Sequence, residues 1–178
     1  TNTFKLTYQD SDDTYRAYPG ETVRLSGGYP LTNWQTWQTN ILCVNASTQG
    51  VSGRFRMLTF NDVRQRKAQW PNWTASDPFG KTTNSYRYVD TMASSRASLH
   101  YKAGDLPGAG SWANPALAEV LFFWLVGYNA EIMPVSSINS STRQIVFNGT
   151  AGGGAAGGGT RYYVRNVFEE LDTANEWY

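Results

Sequence analysis

Hydrophobic and polar residues alternate along much of this chain, and turn-forming residues interrupt the alternation at short intervals. A period of two places every second side chain on the same face of a strand. The segments with this pattern are 3–9, 14–18, 22–28, 33–45, 53–61, 63–70, 86–90, 98–104 and 143–149. The pattern therefore predicts a domain built from short strands.

Turn residues indicate where several of these strands end. Pro19 fixes φ and Gly20 accepts a positive φ, so this pair predicts a tight turn before the strand at 22–28. The dipeptide Asn61-Asp62 separates two alternating segments by two residues. This spacing predicts a β-hairpin with a two-residue turn.

Three segments depart from simple alternation. Pro115 is suited to open a short helical turn, and the apolar run at 117–128 is β-branched and aromatic enough to predict a buried strand. Residues 162–171 predict a strand followed by one helical turn, with Asn166 near its cap. The glycine-rich stretch 151–159 predicts a flexible loop, and it lacks the Gly-Lys-Ser/Thr ending of a phosphate-binding loop.

The composition supports a β-rich fold of about one domain. The 178 residues include 7 Trp, 11 Tyr, 8 Phe and 17 Gly, and only 16% are charged. Aromatic residues favour strands, and glycines favour the turns between them. No apolar run approaches the roughly twenty residues of a membrane-spanning helix, so no membrane span is predicted.

The charge distribution favours neither nucleic acid nor an acidic membrane surface as a partner. The formal net charge is +1, so no overall electrostatic attraction to a polyanion is expected. One local basic cluster exists, and we interpret its arginines as alternating solvent-facing residues of two strands rather than as a nucleic-acid patch. The cluster comprises Arg54, Arg56, Arg64, Arg66 and Lys67.

Side chains for several kinds of catalysis are scarce. His100 is the only histidine and Cys43 the only cysteine. We expect His100 to be a partly buried strand residue and Cys43 to pack as a small hydrophobic residue. These counts exclude a histidine-rich or multi-thiolate zinc site. The sequence predicts no metal and no cofactor.

Carboxylates remain as candidates for catalysis. They form two clusters, Asp10–Asp13 and Glu169–Glu176. Glycoside hydrolysis needs two carboxyl groups roughly 5–10 Å apart, so a hydrolase that uses Asp12, Asp13 or Glu169 is one hypothesis. The alternative is that these acids lie in solvated turns and caps, and we assign no catalytic residue.

Tryptophans close to polar amides are candidates for glycan contacts. Trp34 and Trp37 form one pair, and Trp70 and Trp73 form another. The flat apolar face of an indole matches the C–H face of a sugar ring. The alternative is that these rings pack in the core or at its rim.

Four N-x-S/T sequons indicate an extracellular, glycosylated protein. They are N-glycosylation candidates at Asn45, Asn72, Asn139 and Asn148. Carriage of a glycan requires the asparagine to be exposed.

Four stretches resemble, in the same order, secreted right-handed parallel β-helix proteins related to glycoside hydrolases. The first is TYRAYPGETVRLSGG at 14–28, followed by LTNW at 31–34. The second is FRMLTFNDVRQRKAQWPN at 55–72, and the third is YKAGDLPGAGSWANPALAEV at 101–120. The last is RYYVRNVFEELDTANEWY at 161–178.

The resemblance implies an all-β fold, in which an antiparallel barrel- or sandwich-like insertion domain has terminal segments belonging to a right-handed parallel β-helix. Residues 1–28 would be a β-helix-rung-like segment, 29–160 the insertion domain and 161–178 the return strand. Trp177 and Tyr178 would then begin a rung whose continuation lies beyond this chain. The family's substrate groove and catalytic acids lie largely on that helical body.

The resulting functional prediction is a non-catalytic accessory module of an extracellular or cell-surface carbohydrate-active protein. Its partners would be the remainder of its own chain or another β-helix, and a polysaccharide. One alternative is a structural component of a glycosylated fibre, sheath or cell-surface assembly that self-associates. The other alternative is the hydrolase with a carboxylate pair.

Overall fold

The structure is a computed structural model that describes residues 5–78, 85–124, 127, 129–152 and 158–178. The described residues form four short 3-10 helices, η1 Tyr8–Asp10, η2 Ser47–Gln49, η3 Pro115–Leu117 and η4 Phe168–Glu170. The strands are β1 Gln35–Gln38, β2 Ile41–Cys43, β3 Leu58–Phe60, β4 Val63–Lys67, β5 Gln69–Trp70, β6 Arg87–Met92, β7 Ser98–Tyr101, β8 Glu119–Phe123, β9 Ala130–Asn139, β10 Gln144–Phe147, β11 Arg161–Arg165 and β12 Glu176–Trp177. None of these helices is long and apolar enough to cross a membrane.

The chain divides into two compact units, Thr1–Phe55 and Arg56–Tyr178. In the first unit, β1 and β2 form an antiparallel hairpin in which Gln35 pairs with Cys43. No described residue of this unit is buried, and large apolar side chains such as Tyr18 and Leu25 are 75% and 76% exposed. The predicted division into segments 1–28, 29–160 and 161–178 has different boundaries and stays a prediction.

The strands predicted at 3–9, 14–18 and 22–28 are wrong for the residues that the structure describes. Residues 5–28 contain no strand, and Tyr8–Asp10 form a 3-10 helix that Thr7 caps. Alternation alone does not make a strand, because a strand also needs a neighbour for its backbone hydrogen bonds. Residues 3 and 4 of the first predicted strand lie outside the described residues.

The prediction for Cys43 is also wrong, since this thiol is exposed on β2. The apolar neighbours Ile41, Leu42 and Val44 predict burial, but the described part of the first unit contains no buried core.

A closed antiparallel barrel of six strands dominates the second unit. Its strands follow the order β11, β6, β7, β10, β9 and β8, and β8 pairs again with β11. Strand β5 pairs with β11 beside β6. Closure removes the open edges of the sheet. The prediction of an all-β, antiparallel barrel-like fold is confirmed.

The barrel interior holds the hydrophobic core. Inward positions alternate along the strands, with Val120 and Phe122 on β8, Ile145 and Phe147 on β10, and Tyr162 on β11. The rings of Phe122 and Phe147 stack with their centroids 5.8 Å apart. The predicted buried strand after Pro115 is therefore β8, preceded by the predicted helical turn η3. Residues 125, 126 and 128 of that apolar run lie outside the described residues.

A smaller three-stranded sheet has the order β12, β4 and β3. Asn61 and Asp62 connect β3 to β4 with φ values of 47° and 64°, the left-handed pair of a type I′ hairpin turn. That hairpin is confirmed. Strand β12 runs parallel to β4, and the carbonyl oxygen of Trp177 accepts a 2.8 Å hydrogen bond from the Ala68 N–H.

The segment after the glycine-rich stretch follows its prediction. Strand β11 is succeeded by η4, whose N-cap is Val167, so Asn166 lies directly before the cap. Asn166 has a φ of 60°, and its side chain donates to the Leu117 carbonyl oxygen. Of the predicted loop 151–159, residues 153–157 lie outside the described residues.

Candidate functional site

The second unit carries a cleft of about 380 Å³ on the outer side of β4, β5 and β11. Five of its lining residues are basic and none is acidic. The lining consists of Arg56, Arg64, Gln65, Arg66, Lys67, Gln69, Trp73, Tyr86, Tyr163 and Arg165. Its volume lies in the range of about 300–1,000 Å³ that is typical of small-ligand pockets.

Alternation along β4 places the basic residues at two depths. Arg64 and Arg66 are exposed, whereas Gln65 and Lys67 are buried. Successive side chains of a strand point to opposite faces. Arg64 and Arg66 therefore lie on the exposed face of β4, and Lys67 lies on its buried face. The prediction of solvent-facing arginines is therefore confirmed for Arg64 and Arg66, while Lys67, the lysine of the same cluster, is buried.

Two cations in the interior of the cleft, Lys67 and Arg165, form ion pairs with the same carboxylate. Glu119 on β8 lies 3.5 Å from Lys67 Nζ and accepts a 2.9 Å hydrogen bond from Arg165 Nε. Burial raises the pKa of Glu119, but Lys67 and Arg165 outweigh it and hold the pKa below its ordinary value. Glu119, Lys67 and Arg165 therefore form a group of three ionised side chains, in which the opposite charges offset the cost of desolvation.

Aromatic side chains form the walls of the cleft. The Arg66 guanidinium stacks on the Trp73 indole, with the guanidinium carbon 3.6 Å from the ring centroid. Tyr86 and Tyr163 meet edge to face at 5.6 Å. Burial raises the pKa of Tyr163 above its ordinary value of 10, so its phenol is neutral at physiological pH and retains its O–H. The cleft therefore combines flat apolar surfaces with hydrogen-bond donors.

Two exposed arginines of the lining, Arg56 and Arg64, have no such compensation from a described residue; below they are called the outer arginines. Both are exposed, and no carboxylate of the described residues lies within ion-pair distance of either. The mouth of the cleft therefore carries excess positive charge.

The structure separates the four tryptophans predicted to contact glycan. Trp73 lines the cleft, whereas Trp70 packs against the barrel core and its Nε1 donates a 2.7 Å hydrogen bond to the Asp105 carbonyl oxygen. Trp34 and Trp37 belong to the first unit, where Trp34 is half-buried and Trp37 is 49% exposed. Trp73 is thus the predicted contact that occupies a described cleft.

The four sequons differ in accessibility. Asn45, Asn139 and Asn148 are exposed. Asn72 is half-buried, and the amide nitrogen that would carry a glycan donates a 2.9 Å hydrogen bond to Asp172. Occupancy of all four stays a prediction, with Asn72 the most hindered.

Carboxylates of the acidic cluster Glu169–Glu176 accept hydrogen bonds from backbone and side-chain N–H groups. Glu169 accepts from the Ala113 N–H at 2.7 Å, and Glu170 accepts from Trp112 Nε1 at 2.8 Å. Gly108 leaves the space for this second contact, because a Cβ there would lie 2.9 Å from the Glu170 carboxylate. These carboxylates therefore fasten the segment after β11 to the loop before η3.

The first acidic cluster lies in the first unit. Asp10 accepts hydrogen bonds from the Thr7 N–H and hydroxyl, which lower the pKa of Asp10. Asp12 is exposed and has a φ of 73°, and Asp13 is exposed. His100 is half-buried on β7, as predicted. No group of three potential metal ligands occurs in the described residues.

Glu176 makes the stability of the second unit depend on pH. Burial raises the pKa of Glu176 to about 7 from an ordinary value of 4.5, although N–H groups of Thr173 and Asp172 partly oppose the rise. Between these pH values the unfolded chain loses this proton and the folded chain retains it, so stability falls as pH rises. We expect a loss of about 1–2 kcal/mol across this window, reduced by partial solvent exposure.

Urea unfolding of the wild type and Glu176→Gln from pH 4.5 to 8 measures this effect. Glu176→Gln should flatten the decline, whereas the control Glu169→Gln should keep it. An equal decline in Glu176→Gln and the wild type would contradict the role of this carboxyl.

The sequence alone reveals only part of the cleft. Arg64 and Arg66 are two residues apart on one predicted strand, so the sequence places them on the same face, which is a usable signal. Glu119 and Arg165 are distant in sequence from β4, so their ion pairs depend on barrel closure. Comparison of the chain with protein-family models, curated proteins and solved structures gave no match.

Proposed function

We propose that this chain is a non-catalytic accessory module of an extracellular or cell-surface carbohydrate-active protein, and that it contacts a glycan through the basic cleft. The observation that carries the proposal is the placement of Trp73 on the wall of a cleft lined with amide, phenol and guanidinium groups. In this proposal the terminal segment 1–28, and the part of segment 161–178 that follows barrel strand β11, join a right-handed parallel β-helix. That attachment rests on the sequence resemblance alone.

The chemistry of the cleft suits a sugar ring. An indole offers a flat apolar face to the C–H groups of the ring, while exposed guanidinium groups donate to its hydroxyls. Arg66 covers one face of Trp73, so in this proposal the sugar ring stacks on the opposite face. The guanidinium also fixes the orientation of the indole, which lowers the entropic cost of binding.

The carboxylates support a non-catalytic role. Glu169, Glu170 and Glu176 accept hydrogen bonds that fasten the chain. None of the cleft-lining residues is acidic, whereas glycoside hydrolysis generally requires two carboxyl groups facing the bond to be cleaved.

Replacing Trp73 with Ala tests the proposal. We expect glycan affinity to fall by about tenfold, because loss of an aromatic contact removes roughly 1–2 kcal/mol. Isothermal titration with a panel of soluble neutral and acidic polysaccharides measures the effect. Trp37→Ala is the matched variant, since it removes an exposed tryptophan outside the cleft.

Three outcomes separate the possibilities. Loss of binding in Trp73→Ala alone supports the cleft, and loss in Trp37→Ala alone transfers the contact to the first unit. Binding of no polysaccharide in the panel by the wild type would refute the proposed glycan contact.

A structural assembly component is the second candidate, favoured by the exposed apolar side chains of the first unit. Leu6, Tyr18 and Leu25 are each at least 60% exposed, and exposed apolar surface promotes association. Sedimentation velocity over a range of concentrations distinguishes this candidate. A constant monomeric coefficient would count against it.

A further inference from the structure

We propose that the ligand of the cleft is an acidic glycan, whose carboxylate or sulfate groups are bound by Arg56 and Arg64. This inference rests on the proposed glycan contact and names its chemical class. It goes beyond tryptophan stacking, because it assigns specificity to the two arginines at the mouth.

The charge balance of the cleft carries the inference. Five cationic side chains line it, and one carboxylate, Glu119, contacts two of them. Arg66 stacks on Trp73, which leaves Arg56 and Arg64 exposed without an ion pair to a described residue. A cleft with one sign of charge attracts ligands of the opposite sign.

Arginine has the geometry that such groups require. The planar guanidinium presents parallel N–H donors that match two oxygens of a carboxylate or sulfate. Arg56 and Arg64 provide two such guanidinium groups on the exposed side of the cleft. Lys67 and Arg165 instead form ion pairs with Glu119 in the interior. The outer arginines can therefore bind anions without breaking the inner ion pairs.

The same surface is less suited to nucleic acid. Single-stranded nucleic acid requires a positive groove and successive stacking platforms along several nucleotides. Among the described lining residues Trp73 is the one tryptophan, so the cleft offers a single indole platform, and Tyr86 and Tyr163 contact each other edge to face. The net charge of the chain is only +1. A short acidic saccharide fits these features better.

The experiment compares matched ligands on the full 178-residue chain. Polygalacturonate and its fully methyl-esterified form test the carboxylate, and dextran sulfate and dextran test the sulfate. We expect the charged member of at least one pair to bind about 10–100-fold more tightly than its neutral counterpart, with affinity that falls as salt rises.

Two double variants locate the binding groups. Arg56→Gln/Arg64→Gln should reduce affinity for the charged glycan by about 10–100-fold. Lys102→Gln/Arg143→Gln removes the same charge from exposed positions outside the cleft and should reduce affinity by less than about threefold. Unchanged thermal unfolding would verify that both variants fold, and the ligand comparison on the wild type does not depend on them.

The outcomes also separate the two proposals. Equal binding of neutral and charged glycans overturns the acidic class and keeps the glycan contact, whereas binding of none overturns both. Equal losses in the two double variants would refute the assignment to Arg56 and Arg64. Tighter binding of a single-stranded oligonucleotide than of any acidic glycan would overturn the inference in favour of nucleic acid.

Discussion

Glu119→Gln is expected to destabilise the second unit by about 3–5 kcal/mol, the cost of breaking a buried ion pair by removing one partner. Glu119 is buried, and it neutralises both Lys67 and Arg165 at 3.5 Å and 2.9 Å. A glutamine keeps the size of the side chain but leaves Lys67 charged in a site where only 6% of its side chain is exposed. Urea unfolding monitored by tryptophan fluorescence measures the loss.

Two further variants make this result specific to the ion pair. Asp90→Asn removes an exposed carboxylate from barrel strand β6 and should change stability by no more than about 0.5 kcal/mol. Adding Lys67→Met to Glu119→Gln should restore part of the lost stability, because the uncompensated buried cation is gone. Strictly additive effects of the two substitutions would contradict coupling between these side chains.

The pH dependence of the same carboxylate has the opposite sign to that of Glu176. The pKa of Glu119 lies below its ordinary value of 4.5, so its stabilising effect is present above pH 4.5 and is lost as pH falls through the folded-state pKa. Glu176 gives its largest stabilisation at low pH. Acid unfolding should therefore be less steep in Glu119→Gln than in the wild type.

Phe122→Ala is expected to cost about 3–5 kcal/mol, the range for removal of a fully buried phenylalanine. The side chain is completely buried in the barrel, where it stacks on Phe147 and meets Trp124 edge to face at 5.0 Å. Alanine leaves a cavity that closed strands cannot collapse to fill. Thermal unfolding followed by circular dichroism measures the change.

The neighbouring residue provides the matched control. Phe123 points away from the interior, where it contacts Tyr86 and lies under the Arg161 guanidinium at 4.0 Å. Phe123→Ala should therefore cost only about 1–2 kcal/mol. If Phe123→Ala were the more damaging substitution, the assignment of inward and outward faces on β8 would be reversed.

Local sequence signals predicted the parts of the fold that depend on local physics. The Asn61-Asp62 turn, the helical turn at Pro115 and the strand β10 each follow from a few neighbouring residues. The ten-residue strand β9 was not identified, because Pro134 lies within it and proline normally argues against a central strand. Its pairing with β8 and β10 overrides that local preference.

Non-local features explain the remaining differences. Residues 14–28 alternate like strand residues, but periodicity does not reveal whether a neighbouring strand exists to pair with them. In the cleft, the sequence predicts Trp73 as a candidate glycan contact and the arginines of β4 only as solvent-facing residues. The ion pairs of Glu119 with Lys67 and Arg165 depend on barrel closure, which the sequence does not predict. The exposed residues of the site can therefore be predicted from the sequence, whereas its buried ion pairs cannot.

The parallel pairing of β12 with β4 has a consequence for how the second unit folds. The paired residues Glu176 and Arg66 lie near opposite ends of the unit's sequence, so this contact closes a long loop. The entropy of loop closure is lost before the new hydrogen bonds compensate it, and contacts of this kind slow folding. Because the barrel strands between them bring the two ends together, we expect this short sheet to form late in folding.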